Sequence, residues 1–210
     1  MRSHLLATRL LEFSFASFLV FTGQTRTTPE PSSRTPLLIR EEQQITINGI
    51  PETWRLEWKL PPEYICGPDL GDHVVDCPCS PFAYGETAPL DLVRIVKGRE
   101  IDRLKLTQFF EQEFQGQQGA VVQRWEPDDK DLYDTDDNTF VARVHGRPVV
   151  KVMQFADYNH DGQPTEFFLS TGVLPCGKNM GIVVGLTPAN PRLHAFGTAL
   201  HPKEPLVMQK

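Results

Sequence analysis

Gln44-Ile45-Thr46-Ile47-Asn48-Gly49 and, four residues on, Trp54-Arg55-Leu56-Glu57-Trp58-Lys59-Leu60 decide the expected fold. Asn-Gly is the dipeptide of the type I′ hairpin turn, because both central positions need positive φ. Ile50-Pro51-Glu52 makes the return look irregular. Trp54, Leu56, Trp58 and Leu60 then alternate with Arg55, Glu57 and Lys59, the pattern of a strand with one buried and one wet face. Two readings of Trp54 and Trp58 follow. They anchor a core, or they line a carbohydrate or apolar groove.

Downstream segments repeat the β signal. Residues 91–104 read as a second hairpin turning at Lys97-Gly98, with its basic residues outward. Ala120 to Trp125 reads as a strand. Thr139 to Val144 and Val149 to Phe155 read as a hairpin across His145-Gly146-Arg147-Pro148. Gly181 to Leu186 and Arg192 to Gly197 flank a turn rich in Pro and Asn. Leu206-Val207-Met208 reads as a short edge strand. Leu106, Phe109, Phe110 and Phe114 fall at helical spacing before Gly116, so one short helix is expected there. With 18 Pro and 15 Gly in 210 residues, turns are frequent, which suits an all-β chain. The expected fold is therefore a mainly antiparallel β-sandwich or irregular barrel with one short helix.

One further stretch carries chemistry: Asp157-Tyr158-Asn159-His160-Asp161-Gly162-Gln163-Pro164-Thr165-Glu166. Calcium takes six to eight oxygen ligands from carboxylates, amides and carbonyls. Asp157, Asn159 and Asp161 alternate, so their oxygens can converge as the chain curls. Gly162 permits a sharp turn, Gln163 offers a carbonyl and Glu166 a closing carboxylate. The start matches D-x-[DN]-x-[DN]-G, but the twelfth position, where an EF-hand has its bidentate Glu, is Phe168. The flanks, Val149 to Phe155 and Glu166 to Thr171, are rich in β-branched and aromatic residues and read as strands. His160 is expected to be a solvent-facing spacer. The alternative is an ion-free Asp/Asn/Gly turn.

Over residues 149–171 this arrangement resembles the calcium loops of FG-GAP/VCBS repeats, the integrin-type propeller blades, in which D-x-[DN]-x-D-G-x-x-[DE] precedes an apolar strand. The resemblance implies a calcium loop between strands. Here the closing carboxylate, Glu166, comes one position late, with Thr165 in its place. The loop occurs once, whereas a propeller needs about four blades, so a propeller is not implied.

Residues 1–23 read as an export signal. Arg2 and Arg9 precede and flank an apolar run, Leu10 to Phe21, that Glu12 interrupts and that is too short to span a membrane. Residues 24–43 read as a disordered Thr/Pro/Ser-rich linker, and residues 44–210 as a single β-rich domain. Cys66, Cys77, Cys79 and Cys176 then suggest two disulfides. The options are Cys66–Cys77 with Cys79–Cys176, or Cys66–Cys79 with Cys77–Cys176. The long-range bridge is worth roughly 4–5 kcal/mol in the chain-entropy model. A zinc site from these cysteines and His73 lacks the usual spacing.

The net charge of −6 argues against nucleic-acid binding by a basic patch. Residues 126–137 hold seven acidic residues and one Lys, a solvated acidic loop or a second, weaker calcium site through Asp131, Asp134, Asp136 and Asp137. No G-x-S-x-G, H-E-x-x-H or P-loop is present. The expectation is a non-catalytic, secreted, periplasmic or cell-surface calcium-binding domain, without a stable membrane span. An adhesion or carbohydrate-binding module, meeting a glycan or another surface protein, is one alternative, and a secreted hydrolase another.

Overall fold

The computed structural model describes residues 36–66, 84–111, 113–126, 128, 142–174, 178–198, 200–201 and 204–209. In chain order the strands are β1 (Leu38–Ile47), β2 (Ile50–Trp58), β3 (Glu63–Cys66), β4 (Tyr84–Ala88), β5 (Leu90–Val96), β6 (Arg99–Lys105) and β7 (Glu113–Phe114). They continue as β8 (Gln117–Gln118), β9 (Ala120–Gln123), β10 (Phe155–Ala156), β11 (Glu166–Leu174), β12 (Lys178–Gly185), β13 (His194–Ala195) and β14 (Met208–Gln209). The fold is all-β, and its sheets stay open, so no barrel closes among the described residues.

The opening hairpin forms as its sequence dictates. Asn48 and Gly49 take φ of 50° and 77°, and Ile47 pairs directly with Ile50. The return is regular, however, because Pro51 and Glu52 already belong to β2. A second two-residue turn at Lys97 and Gly98 joins β5 to β6. All pairings in the four-stranded sheet, ordered β1-β2-β5-β6, are antiparallel. A five-stranded sheet runs β10-β11-β12-β13, with β14 also on β12. A three-stranded sheet runs β3-β4-β9, and β7 and β8 make a two-stranded hairpin.

The two larger sheets share one core. Trp54, Leu56 and Trp58 of β2 and Leu90 and Leu92 of β5 pack in the same cluster as Phe167 and Leu169 of β11 and Ile182 and Val184 of β12. Trp54 is fully buried and Trp58 is 5% exposed, so these rings anchor the core and line no open groove. Phe155 of β10 lies edge-on to Trp54 at 5.3 Å and edge-on to Phe167 at 5.8 Å, which binds the start of the 157–165 loop to both sheets.

Burial also extends beyond the apolar residues. Glu57, on the expected wet face of β2, is 5% exposed because Arg103 covers it. The Arg103 fork reaches Glu57, Asp91 and Glu100 at 2.6–2.9 Å. Those bonds, with Glu100 foremost, push the guanidinium above its ordinary range and hold the Glu100 carboxyl below its own. Buried Glu86 lies between Arg40 and Arg124. Glu52 takes a two-pronged bond from Arg94, at 2.8 and 2.9 Å.

Several expectations are corrected. The compact unit begins at Pro36 and β1 at Leu38, ahead of Gln44. Residues 38–43 are ordered because they pair with β2 up to Trp58 and because Arg40, Glu41 and Gln43 bond the 150–153 segment. The one short helix expected here is present as a 3-10 segment, Leu106–Phe109, but it stops short of Phe114, which belongs to β7. Its apolar side chains nevertheless enter the core. The expected 139–155 hairpin is absent from the described part. Residues 142–145 form a helical turn, and Val149 bridges Trp125 instead. The export signal at 1–23, Cys77, Cys79, Cys176 and acidic residues 129–137 lie outside the described residues, as does the side chain of Cys66. No helix among the described residues is long and apolar enough to cross a membrane.

The Glu52–Arg94 pair gives a direct test. Arg94→Met should cost about 3–5 kcal/mol, because it strands a buried charge. Glu52→Gln combined with Arg94→Met should recover much of that loss. Urea denaturation of both variants measures it, and a double variant no more stable than the single one would contradict the pairing argument.

Candidate functional site

The 157–165 loop joins two paired strands, since Phe155 opposes Phe167 and Ala156 opposes Glu166. Side chains of β1 hold the segment leading into it. The Glu41 carboxylate accepts the Val152 N–H at 2.6 Å, and Arg40 Nη2 donates to the Val150 carbonyl at 2.9 Å. The strand expected after the loop is present as β11, whereas the strand expected over Val149 to Phe155 shrinks to the two residues of β10.

Within the loop, acceptors are turned onto backbone donors. Asp157 Oδ1 and Oδ2 accept from the N–H groups of Asp161 and Gly162, at 3.0 and 2.9 Å. Asn159 Oδ1 accepts from Asp161 N, and Asn159 Nδ2 donates to Asp161 Oδ2, both at 2.9 Å. Asp161 Oδ1 accepts from Gln163 N at 2.9 Å. His160 and Gly162 adopt φ of 60° and 86°, which curls the chain around these bonds. His160 is exposed. The Gln163 carbonyl accepts from Thr165 N at 2.9 Å, while its side chain donates to Asn48 Oδ1 at 3.2 Å, tying the loop to the β1–β2 turn.

Glu166 sits differently. It is fully buried, and its carboxylate faces back into the loop. It accepts from Tyr158 N at 3.0 Å, Thr165 Oγ1 at 2.6 Å and Asn159 Nδ2 at 3.4 Å. Burial pushes its carboxyl above the ordinary range, and the neighbouring Asp161 charge adds to the push against those hydrogen bonds. The other buried carboxylates among the described residues, Glu52, Glu57, Glu86 and Asp91, each meet an arginine. Glu166 meets no Arg or Lys there.

Of the expected ligands, Asp157, Asn159, Asp161 and Gln163 lie in the loop and Glu166 opens β11 at its foot. The structure does not gather three acidic, His or Cys side chains on a single point, here or elsewhere among the described residues. The carboxylates are instead engaged with the loop's own N–H groups. Each carboxylate has about four lone-pair positions, so these bonds leave every one of them spare acceptor capacity. Two contributors escaped the sequence reading. Thr165, standing where the repeat pattern has its acid, holds Glu166 through its hydroxyl. Gly185, the last residue of β12, pairs with Glu166 of β11, and a Cβ there would lie 2.8 Å from Glu166 Cα. Pairing register is the only signal for the latter, and it is invisible before the sheet is known.

Other candidate centres do not assemble. His145, His160, His194 and His201 gather into no ligand set. Ser170 Oγ donates to the Met180 carbonyl at 3.5 Å. Compared with protein-family models, curated proteins and solved structures, the chain matches none.

A raised Glu166 pKa means that the native state binds a proton more tightly than the unfolded chain does. Stability relative to Glu166→Gln should therefore rise as pH falls from about 7.5 toward the ordinary carboxylate range near 4.3. Urea titrations at several pH values in EDTA check this. A flat or falling difference would contradict the assigned environment.

Proposed function

We propose that this chain is an exported calcium-binding β-domain in which the ion stiffens the loop between β10 and β11. The observation that carries the reading is Glu166, a fully buried carboxylate that meets no Arg or Lys among the described residues. Buried charges are normally paired or coordinate metals, since an isolated one costs far more than a neutral group. The loop around Glu166 supplies oxygen donors from Asp157, Asn159, Asp161 and the Gln163 carbonyl, the hard-ligand set that suits calcium. Rotation of side chains would turn spare lone pairs toward an ion, with the backbone already curled.

The role proposed is structural and non-catalytic. Extracellular calcium modules bind at roughly 0.1–1 mM. At about 1 mM calcium and a Kd near 0.1 mM, mass action adds about 1.4 kcal/mol. For a domain of this size that is a rise in midpoint of about 3–6 °C. Export is proposed from the sequence, through residues 1–23 and the four cysteines.

Thermal unfolding of the full chain in calcium and in excess EDTA tests the reading. Calcium should raise the midpoint by several degrees, and Asp161→Ala or Glu166→Gln should remove the rise. Equal midpoints in both buffers would rule out a structural calcium site.

A further inference from the structure

A cleft of about 220 Å³ opens between the β1–β2 turn, the 157–165 loop and the turn at residues 187–191. Its floor is the Glu52–Arg94 pair, each residue 6% exposed. Arg94 Nη1 also donates to the Pro191 carbonyl at 2.6 Å, so the floor fixes one wall. Asn48, Gln163 and Thr187 place amide and hydroxyl groups on the sides. Ile47, Leu186 and Pro188 supply an apolar wall, and Ile50, 49% exposed, stands at the rim.

The lining selects a ligand class. Drug-sized ligands need about 300–1,000 Å³, so the cleft suits a single small ring. An anion is disfavoured, because Glu52 already neutralises Arg94 and Asp161 adds a negative charge beside the opening. A purely apolar ligand would strip water from the floor and the amides without replacing it, a cost of about 1–3 kcal/mol per group by mutational measures. Hydroxyl groups both donate and accept. They match the N–H groups that Arg94 does not spend on Glu52 or Pro191, the Asn48 Nδ2 donors, the Gln163 Oε1 acceptor and the Thr187 hydroxyl. We propose that this cleft binds one neutral polyhydroxylated ring, a single sugar residue, with its hydroxyls toward the Glu52–Arg94 floor and its C–H face on Ile47, Leu186 and Pro188. The site needs no calcium in the neighbouring loop.

Trp54 supplies the readout. Its Nε1–H donates to Glu52 Oε2 at 3.1 Å, and the Arg94 guanidinium lies 5.8 Å from its ring centre. The full chain, labelled with 15N, would be titrated with glucose, galactose, mannose and N-acetylglucosamine, and with oligosaccharides ending in the best of them. Each series is run in about 2 mM calcium and in EDTA. The expected result is a saturable shift of the Trp54 indole signal, with the other two tryptophan indoles, Trp58 and Trp125, unmoved. A Kd on the order of 1 mM is what about a dozen heavy atoms reach. An oligosaccharide that binds as well as its free terminal sugar would identify a glycan end as an acceptable source of that ring. Asn48→Gly, which keeps the positive φ, and Thr187→Val should each weaken binding about three- to tenfold. Binding in either buffer supports the site, even where calcium itself has no effect. The absence of a saturable shift with every sugar in both buffers would overturn it. So would equal movement of all three indoles, or an affinity that neither substitution changes.

Discussion

A carboxylate removed from water must be given compensation, and that constraint organises much of this fold. Glu86 lies in the three-stranded sheet and takes its partners from outside it, Arg40 on β1 and Arg124 just past β9. The same Arg40 bonds the carbonyls of Gln123 and Val150, so one buried charge draws together the first strand and the segment entering the loop. Burial of its guanidinium lowers the Arg40 pKa, with the Glu86 and Glu41 charges opposing the drop. Glu52 holds Arg94, and Arg94 holds the turn before Leu193. In each case the pair costs desolvation but fixes where strands and turns meet.

Glu166 obeys the same constraint by a different route. Its register, opposite both Ala156 and Gly185, places it at the foot of the loop. Neutral hydrogen bonds from Tyr158, Thr165 and Asn159 soften its burial without cancelling its charge. The loop is also anchored at both ends. Phe155 packs between Trp54 and Phe167, and Gln163 reaches Asn48. A stiffened loop would thereby stiffen the junction of the two large sheets and one wall of the cleft beside it.

Much of this was legible in the sequence wherever the cause was local. Asn48-Gly49 and Lys97-Gly98 turn as their positive-φ demands require, and the alternation through Trp54, Leu56 and Trp58 marks the core face. The readings that failed depended on distant partners. Glu57 looked wet because Arg103 lies 46 residues away. Residues 38–43 looked like linker because their order comes from pairing with Trp54 to Trp58 and from the 150–153 segment. Phe114 looked helical because its spacing fits, although a tight turn at Gln115 and Gly116 puts it in a hairpin. The loop's oxygen-bearing residues and its glycine turn could be read from their pattern. That Glu166 meets no Arg or Lys among the described residues could not, since it depends on which side chains reach it in the folded chain.

Calorimetric titration of calcium into the wild-type chain and Glu166→Gln, repeated at about pH 7.5 and 5.5 in buffers of different ionisation enthalpy, tests this reading of Glu166 most directly. The account predicts one calcium per chain, with proton release that grows at the lower pH because a raised Glu166 must give up its proton to the ion. Glu166→Gln should lose that extra release. No binding heat at either pH, or proton release that is the same in both proteins, would contradict the assignment of Glu166 as the carboxylate that calcium completes.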